Sequence, residues 1–444
     1  MRTIYTILLC LLCIPLSAQR TEYLLHRADS IKAITGQADE AYLSALSAAI
    51  QQAFGEGNNA LANKLRSEHA EIIKQKYGEQ SVEYAEDIWR LGNVSEHLGR
   101  NYQMECYKKA KRIYDALGAK EEFPYSQIMW EFYIDSYNNQ KGTLAIHYLK
   151  EYLKYCELWL GKEWNGMVMI SELMYAHGFL VLGNIYNSTE SYSLSNEAYA
   201  KCINLLESHN LLTQYQYALA PYRGQVVNYI RLNDIRKKVE AQKKVAEVSK
   251  NIHGDTSEEY IEELDYLNTC HWENSDLNSI KENIHNILAV IEARDKISGV
   301  DFQTDTTYLK YKSEIVSYCV AFQDWHGVVK EGSSLVNIYR QNGMTSSPAY
   351  LELLDDLITG YHITGDYLTE SSLFTEYETL SEFLGQKESE EYCSYLGLKA
   401  EALTFLYRLD EYKLAIEEQT KLKHKLYGEL SLQSAHQEVL IANH

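Results

Sequence analysis

Glycines recur along this chain at a nearly constant interval, and each one ends a segment whose apolar residues follow helical spacing. The successive intervals are 42, 40, 43, 93, 45, 44, 42 and 43 residues, and the long one holds two units, with "ESHN" at 207–210 in place of the missing glycine. A fixed period of this length indicates a repeat protein. The glycines are Gly36, Gly78, Gly118, Gly161, Gly254, Gly299, Gly343, Gly385 and Gly428.

The residues around these glycines repeat as well. "KYGEQSVEYA" starts at residue 76, "NIHGDTSEEYI" at 251 and "KLYGELSLQSA" at 425. Glycine takes the left-handed backbone conformation that ends many helices, and an acid or a serine suits the first turn of the next helix. Because each unit also holds two apolar-periodic runs, the pattern predicts an all-α protein: an α-solenoid of about nine antiparallel helix pairs.

The most regular unit is "FLVLGNIYNSTESYSLSNEAYAKCINLLES", residues 179–208. With its L-G-x-x-Y piece it resembles the tetratricopeptide repeat, and the longer period resembles the kinesin-light-chain type found in bacterial exported proteins. The resemblance implies a right-handed superhelix, with Gly183 and Ser195 where paired helices cross and with Tyr186 and Tyr199 filling the gaps. HEAT and armadillo arrays also have periods in the forties and remain the alternative fold.

The first residues predict export. "MRTIYTILLCLLCIPLSAQ" has one positive residue, an apolar core too short to span a bilayer, and small residues before a cleavage point after Ala18. We expect a cleaved signal peptide over 1–18 and a periplasmic or secreted protein, with an uncleaved anchor as the alternative. Residues 19–36 are interpreted as an N-terminal helical cap, 37–428 as the repeats, and 429–444 as a C-terminal helix that is either a cap or the start of a further unit.

Charge and cysteine content limit the partners and the covalent links that the protein can have. The formal net charge is −20, so the surface should repel nucleic acid and anionic lipid. No later stretch is long and apolar enough for a membrane span, so no membrane insertion is expected after signal cleavage. Six of the 8 cysteines follow residue 18 without paired spacing. We interpret them as buried small hydrophobic residues, with disulfides as the alternative.

No catalytic, metal-binding or cofactor-binding motif is recognisable in the sequence. The phosphate loop, the H-E-x-x-H pair, the G-x-S-x-G elbow and the calcium loop have no match. The 14 histidines are scattered along the units. The basic run "RKKVEAQKK" at 236–244 is interpreted as a solvated helix face, with a docking point for an acidic partner as the sharper alternative. We therefore predict a protein that is not an enzyme and needs no cofactor.

One polar position recurs in the first helix of several units. When the Leu-Gly pair of each unit is numbered 7 and 8, position 9 holds an amide or an acid. The resemblance implies that position 9 points into the concave groove and that an asparagine there holds the backbone or a carboxylate of a bound peptide. An amide both donates and accepts, so it can pair with any peptide unit. The candidate partner-binding residues are Asn93, Asp135, Asn184, Asn228 and Asn268.

Two functions fit this sequence. The first is an exported, non-enzymatic scaffold that binds a peptide or protein partner along its concave groove. The second is the sensory or recognition solenoid of a larger regulatory or effector protein, whose output module would lie beyond residue 444. A polar position 9 that is only solvated is the alternative to a ligand contact.

Overall fold

A computed structural model describes residues 20–36, 39–164, 167–168, 170–428 and 431. About 80% of the described residues are helical, and none of their helices has the length and apolar character that a bilayer span requires. The predicted signal peptide and all of the predicted C-terminal helix except residue 431 lie outside this range. Residues 20–35 form a helix, α1, inside the predicted N-terminal cap.

The chain divides into two compact parts between Asn228 and Tyr229. We call them the first unit and the second unit; each contains several of the predicted repeats. The first unit also carries a two-stranded antiparallel hairpin, Glu163–Trp164 (β1) and Met167–Val168 (β2). After α1, its helices are Glu40–Gly55 (α2), Asn59–Tyr77 (α3), Val82–Asn93 (α4), Arg100–Leu117 (α5), Phe123–Asn138 (α6), Gly142–Trp159 (α7), Glu172–Ser188 (α8), Tyr192–Ser208 (α9) and the first part of Ala220–Arg231 (α10).

The second unit begins inside α10. Short 3-10 turns at Glu96–Leu98 and Phe302–Thr304 interrupt the loops of the first and second unit, respectively. The helices of the second unit are Ile235–His253 (α11), Glu258–Glu273 (α12), Leu277–Ser298 (α13), Thr306–Ala321 (α14), Trp325–Gln341 (α15), Pro348–Thr364 (α16), Tyr367–Phe383 (α17), Glu390–Phe405 (α18) and Leu409–Tyr427 (α19).

The helices pack as hairpins of neighbours in sequence. Four pairs, α2–α3 to α8–α9, form in the first unit, and four more, α12–α13 to α18–α19, form in the second. Helices α10 and α11 follow each other in sequence at the place of the remaining pair. Within each unit, the second helix of one pair also packs on the first helix of the next. The predicted all-α repeat of about nine helix pairs is therefore confirmed.

The repeated glycines have the positive φ that the pattern predicts, and Gly118 and Gly299 take the left-handed helical conformation. All nine have positive φ, from 67° at Gly161 to 105° at Gly254, and Asn210 takes φ 54° where the glycine is missing. The serine three residues after Gly78 caps the following helix, since the Ser81 hydroxyl accepts a hydrogen bond from the Tyr84 amide at 3.2 Å. These local preferences explain why each "YGE-x-S" segment ends one helix and begins the next.

Paired helices cross closely at the predicted small residues. A Cβ at Gly183 would lie 2.4 Å from Cδ1 and Cε1 of Tyr199, so only glycine fits beneath that ring. The Ser195 hydroxyl donates to the Gly183 carbonyl at 2.8 Å across the same crossing. In α4 and α5 the same arrangement recurs, with 2.5 Å between a Cβ at Gly92 and Cε1 of Tyr107. The sequence assigned these packing roles in α8 and α9 correctly.

Candidate partner-binding face

The turn inside each helix pair fixes the register of the first helices. One residue of that turn has positive φ, for example Gly99 after α4, Gln140 after α6 and Glu190 after α8. In each first helix, we take the residue that lies six positions before this positive-φ residue. Its side chain is exposed or half-buried in every case. We call this side of the helices the first-helix face. In α4, α6, α8, α10 and α12 these residues are Asn93, Ile134, Asn184, Val227 and Thr269.

Asn93 and Asn184 have matching surroundings on the first-helix face. Both are exposed. The Tyr107 hydroxyl donates to Asn93 Oδ1 at 2.9 Å, and the Tyr199 hydroxyl donates to Asn184 Oδ1 at 2.7 Å. Because each tyrosine ring is held beneath a glycine, each amide is fixed through its oxygen. Its NH₂ group is then oriented as a donor toward solvent.

The other three candidates do not share this position, and the register read from the sequence was wrong for them. Asp135 lies one residue past Ile134 and Asn228 one past Val227, whereas Asn268 lies one before Thr269. Along a helix, one residue turns a side chain by about 100°. Asn228 and Asn268 consequently point between helices and are buried, with exposed fractions of 0% and 1%.

The buried pair serves packing. Asn228 Nδ2 donates to the Ser195 hydroxyl at 2.9 Å and to Asn196 Oδ1 at 2.7 Å, which ties α10 to α9 within the first unit. Asn268 occupies the crossing position that is glycine in α8, and its Oδ1 accepts from Asn283 Nδ2 at 2.7 Å. Neither side chain is available to a ligand on the first-helix face.

A cleft of about 510 Å³ opens on the first unit beside α6 and α8. We call it the aromatic cleft. One wall is Trp130, whose ring lies 4.9 Å from that of Tyr152. The loop after α9 supplies another part of the lining, where Tyr215 and Tyr217 lie 5.7 Å apart, centroid to centroid. The full lining is Gln127, Trp130, Tyr152, Leu173, Met174, His177, Gln214, Tyr215, Gln216 and Tyr217.

The aromatic cleft is lined by uncharged side chains. It contains no aspartate, glutamate, lysine or arginine. Its one titratable base is His177, whose Nδ1 shares a hydrogen bond with the Tyr215 hydroxyl at 2.6 Å. Burial lowers the pKa of His177 because it disfavours the imidazolium form. The site therefore suits an uncharged, largely apolar group that also offers a few hydrogen-bonding atoms.

The cleft and Asn184 belong to the same helix face. His177 stands seven residues before Asn184 in α8, which is about two helical turns, or roughly 10 Å. Gln127 takes the same place in α6 that His177 takes in α8, thirteen residues before the left-handed residue of the turn. A linear ligand could therefore contact the cleft and the Asn184 amide together.

The hairpin between α7 and α8 covers the corresponding part of α4. The ring of Trp164 in β1 lies 5.8 Å from that of Trp89 and 5.1 Å from that of Phe123, centroid to centroid. The Arg90 guanidinium stacks over the same indole at 5.1 Å. Trp89 stands ten residues before Gly99, as Trp130 stands ten before Gln140. In the pair before the cleft, the Trp164 indole of the same chain therefore packs on Trp89, the residue equivalent to Trp130.

Two further side-chain clusters, away from the aromatic cleft, look like reactive groups. The Ser47 hydroxyl lies 3.3 Å from His69 Nε2, while His69 Nδ1 bonds to Asp87, which also accepts from Arg66 Nη1 at 3.1 Å. Ser47 is inside α2, so the nearby backbone N–H groups are used by the helix and cannot stabilise an oxyanion. We interpret this cluster as a buried tie between α2, α3 and α4.

The second cluster lies between α16, α17 and α18. Glu370, which stands where the repeat normally has a small residue, is fully buried, and both its oxygens lie 3.3 Å from His362 Nδ1. His362 Nε2 lies 3.4 Å from the exposed carboxylate of Glu401. The hydrogen bond to Glu370 raises the pKa of His362. In the part of the chain that the structure describes, no three such ligands are placed to hold a metal ion.

The sequence did not predict the aromatic cleft. Part of its lining comes from the loop between α9 and α10, where the repeated glycine is missing. The alternating run "TQYQYA" at 213–218 was the available clue, because aromatic and amide residues alternate there without the spacing of a helix.

Comparisons with known proteins add structures but no sequence family. No family model matches this chain, and no curated protein matches it. Tetratricopeptide-like repeats of a putative kinesin light chain from Podosopora anserina align at 12% identity over 48% of this chain and 97% of that one, with a TM-score of 0.30. The C-terminal part of a tetratricopeptide-repeat protein from Cytophaga hutchinsonii aligns at 14% identity over 67% and 98%, with a TM-score of 0.39.

A third similar structure is a Rap protein complexed with competence and sporulation factor. It aligns at 11% identity over 89% of this chain and 98% of that one, with a TM-score of 0.26. The names of the first two structures agree with the resemblance read from the sequence. At these identities and TM-scores, we take nothing about partners or activity from any of the three.

Proposed function

We propose that this chain is an exported, non-enzymatic scaffold that binds an extended peptide segment of a partner protein along the first-helix face of its first unit. The aromatic cleft beside Asn184 is the observation that supports this function most directly. It combines a concave, mostly apolar site with convergent polar groups, which is the usual composition of a ligand pocket. Asn184 adds an amide donor that suits any peptide carbonyl.

The arrangement of the helices favours a linear ligand over a compact one. Helix α4 contacts α6, and α6 and α8 both line the aromatic cleft, so the exposed positions of these first helices form a strip across the unit. Asn93 and Asn184 stand on that strip with their amides fixed by tyrosines. A peptide that lies along α8 from the cleft to Asn184 and then crosses to neighbouring first helices would gain a hydrogen bond or an apolar contact from each of them.

Site-specific photocrosslinking tests this function. We would place p-benzoylphenylalanine at Asn184, on the first-helix face, and at Asn204, which is exposed on the second helix α9. In cells that produce the protein, the Asn184 position should yield a discrete crosslinked product and the Asn204 position should not. Equal products from both positions, or a product from Asn204 alone, would place the binding surface elsewhere and refute the proposal.

Export is tested separately. Terminal sequencing of the protein from the envelope or medium should find a mature start at Gln19. A chain that retains residues 1–18 in the membrane fraction would instead be an anchored protein.

A further inference from the structure

We propose that the aromatic cleft is the pocket for one large, uncharged aromatic side chain of the bound peptide, whose backbone carbonyl about three residues away accepts a hydrogen bond from Asn184. This inference rests on the proposed function and names the chemistry of the partner at the same site. It specifies a side chain, a spacing and a hydrogen-bond direction, each of which can be tested alone.

The walls of the cleft indicate an aromatic occupant. Trp130, Tyr152, Tyr215 and Tyr217 all line the cleft, together with Met174, which is 45% exposed. Aromatic rings pair favourably in edge-to-face and offset arrangements, and thioethers also contact ring edges favourably. A ring placed in the cleft would therefore meet aromatic and thioether groups from several lining residues.

The lining disfavours a charged occupant. A carboxylate or an ammonium group in the cleft would lose water without meeting an opposite charge, because no lining residue is acidic or basic apart from His177. Burial also keeps His177 neutral at pH values below its ordinary titration range, as the lowered pKa implies. The net charge of −20 acts over the whole surface and supplies no local partner inside the cleft.

The chain itself provides an internal precedent for the occupant. Trp89 and Trp130 take equivalent places in α4 and α6, and the Trp164 indole packs against Trp89 at 5.8 Å. The hairpin therefore fills at α4 the position that stays open at α6. An aromatic side chain from a partner would repeat at Trp130 the contact that Trp164 makes at Trp89.

The spacing follows from the geometry of α8. His177 lines the cleft, and Asn184 stands seven residues further along, roughly 10 Å away. An extended peptide advances about 3.3 Å per residue, so about three residues separate the two contacts. Because Asn184 Oδ1 already accepts from Tyr199, its NH₂ group is the part that would donate to the peptide.

The test begins with a phage-displayed library of random 12-residue peptides selected on the full-length mature protein. We expect enrichment of peptides that share one Trp, Phe or Tyr and carry no acidic or basic residue at that position. The best sequence is then synthesised and its Kd measured. Met174→Glu, which puts a charge into the cleft, should weaken binding at least about tenfold.

The matched control is Met167→Glu. Met167 is 62% exposed in β2 and does not line the cleft, so the same substitution there should change the Kd less than about twofold. Asn184→Ala should weaken binding about fivefold, as expected for one lost hydrogen bond. A thioamide, which is a weaker acceptor, placed three residues from the anchor should weaken binding to wild type but not to Asn184→Ala.

The outcomes separate this inference from the proposed function. Selected peptides anchored by a charged residue, or binding that is insensitive to Met174→Glu, would overturn the aromatic pocket while crosslinking at Asn184 still supported a peptide-binding face. Binding of glycans on an array, with no peptide enriched, would also overturn it, since aromatic rings and amides can bind sugars. A failure of both the crosslinking and the selection would remove the function together with the inference.

Discussion

Replacing Gly183 by alanine tests how tightly the crossing of α8 and α9 is packed. The new Cβ would lie 2.4 Å from two ring carbons of Tyr199, so the ring must move by about 1 Å to reach ordinary contact. The ring has little room, because a Cβ built on Gly224 would touch its other edge at 2.4 Å as well. Overpacking of this kind costs about 1–3 kcal/mol, while alanine gains up to about 1 kcal/mol of helix propensity. We expect a net loss of about 1–2 kcal/mol.

The assay is urea unfolding, with hydrogen exchange measured over α8 and α9 because repeat arrays can unfold in parts. Gly142→Ala is the matched control, since its Cβ would meet only Thr189 Cγ2 at 3.9 Å. That variant should be as stable as wild type or slightly more stable. If Gly183→Ala proves as stable as Gly142→Ala, the tight crossing inferred from Tyr199 is incorrect. If it is unstable, Tyr199→Leu in the same chain should restore part of the loss.

Three further predictions concern the buried polar groups. Asp87→Ala should lower the free energy of unfolding by about 3–5 kcal/mol in denaturant titrations, because it leaves the buried Arg66 without its carboxylate. His362 has a raised pKa beside Glu370, so its contribution is complete below its unfolded pKa of about 6.5 and is lost as pH rises through the folded value. The stability difference between wild type and His362→Gln should thus be larger in acid, and a difference that grows with rising pH would contradict the assignment. Burial raises the pKa of Cys156 to about 12, so native mature protein should react slowly with a thiol reagent, whereas denatured protein should show six free thiols; a smaller number in the denatured protein would indicate disulfides.

The helix boundaries between repeats could be predicted because single residues determine them. Gly78 and Gly254 take φ of 95° and 105°, a conformation that other residues adopt only at a cost. The serines that follow cap the next helices through their side chains. Chemistry of this kind is local, so it is visible in a few consecutive letters of the sequence.

The register inside each pair was harder to predict, because the turn there uses ordinary residues. Gln140, Glu190 and Ser275 take φ of 57°, 59° and 54°, although their residue types do not predict a left-handed turn. Without that marker, Asp135 and Asn268 were each placed one residue away from the exposed position. The packing of Asn268 on Asn283 depends on a contact fifteen residues distant, which a single sequence does not show.

The candidate site was predictable only in part. Asn93 and Asn184 follow a Leu-Gly pair, and the structure places both on the exposed face with the same tyrosine contact. Trp130, His177 and Tyr217 come together through three separate segments, so their proximity is a tertiary property. The basic run at 236–244 is split by the helix: Lys238 is buried against Glu273, and Lys244 pairs with Glu247 on the surface.

The hairpin and the loop after α9 share one property: both are inserted at the seam between two helix pairs, never inside a pair. Residues 160–171 separate α7 from α8, and 209–219 separate α9 from α10. At a seam, added residues leave the Gly–Tyr crossing inside each pair untouched, so new sequence can be accepted there without rebuilding the pairs. Evolution can therefore vary the lining of the cleft while the helix pairs stay constant, and an engineer could graft a different segment over 211–217 to change the shape and chemistry of the cleft.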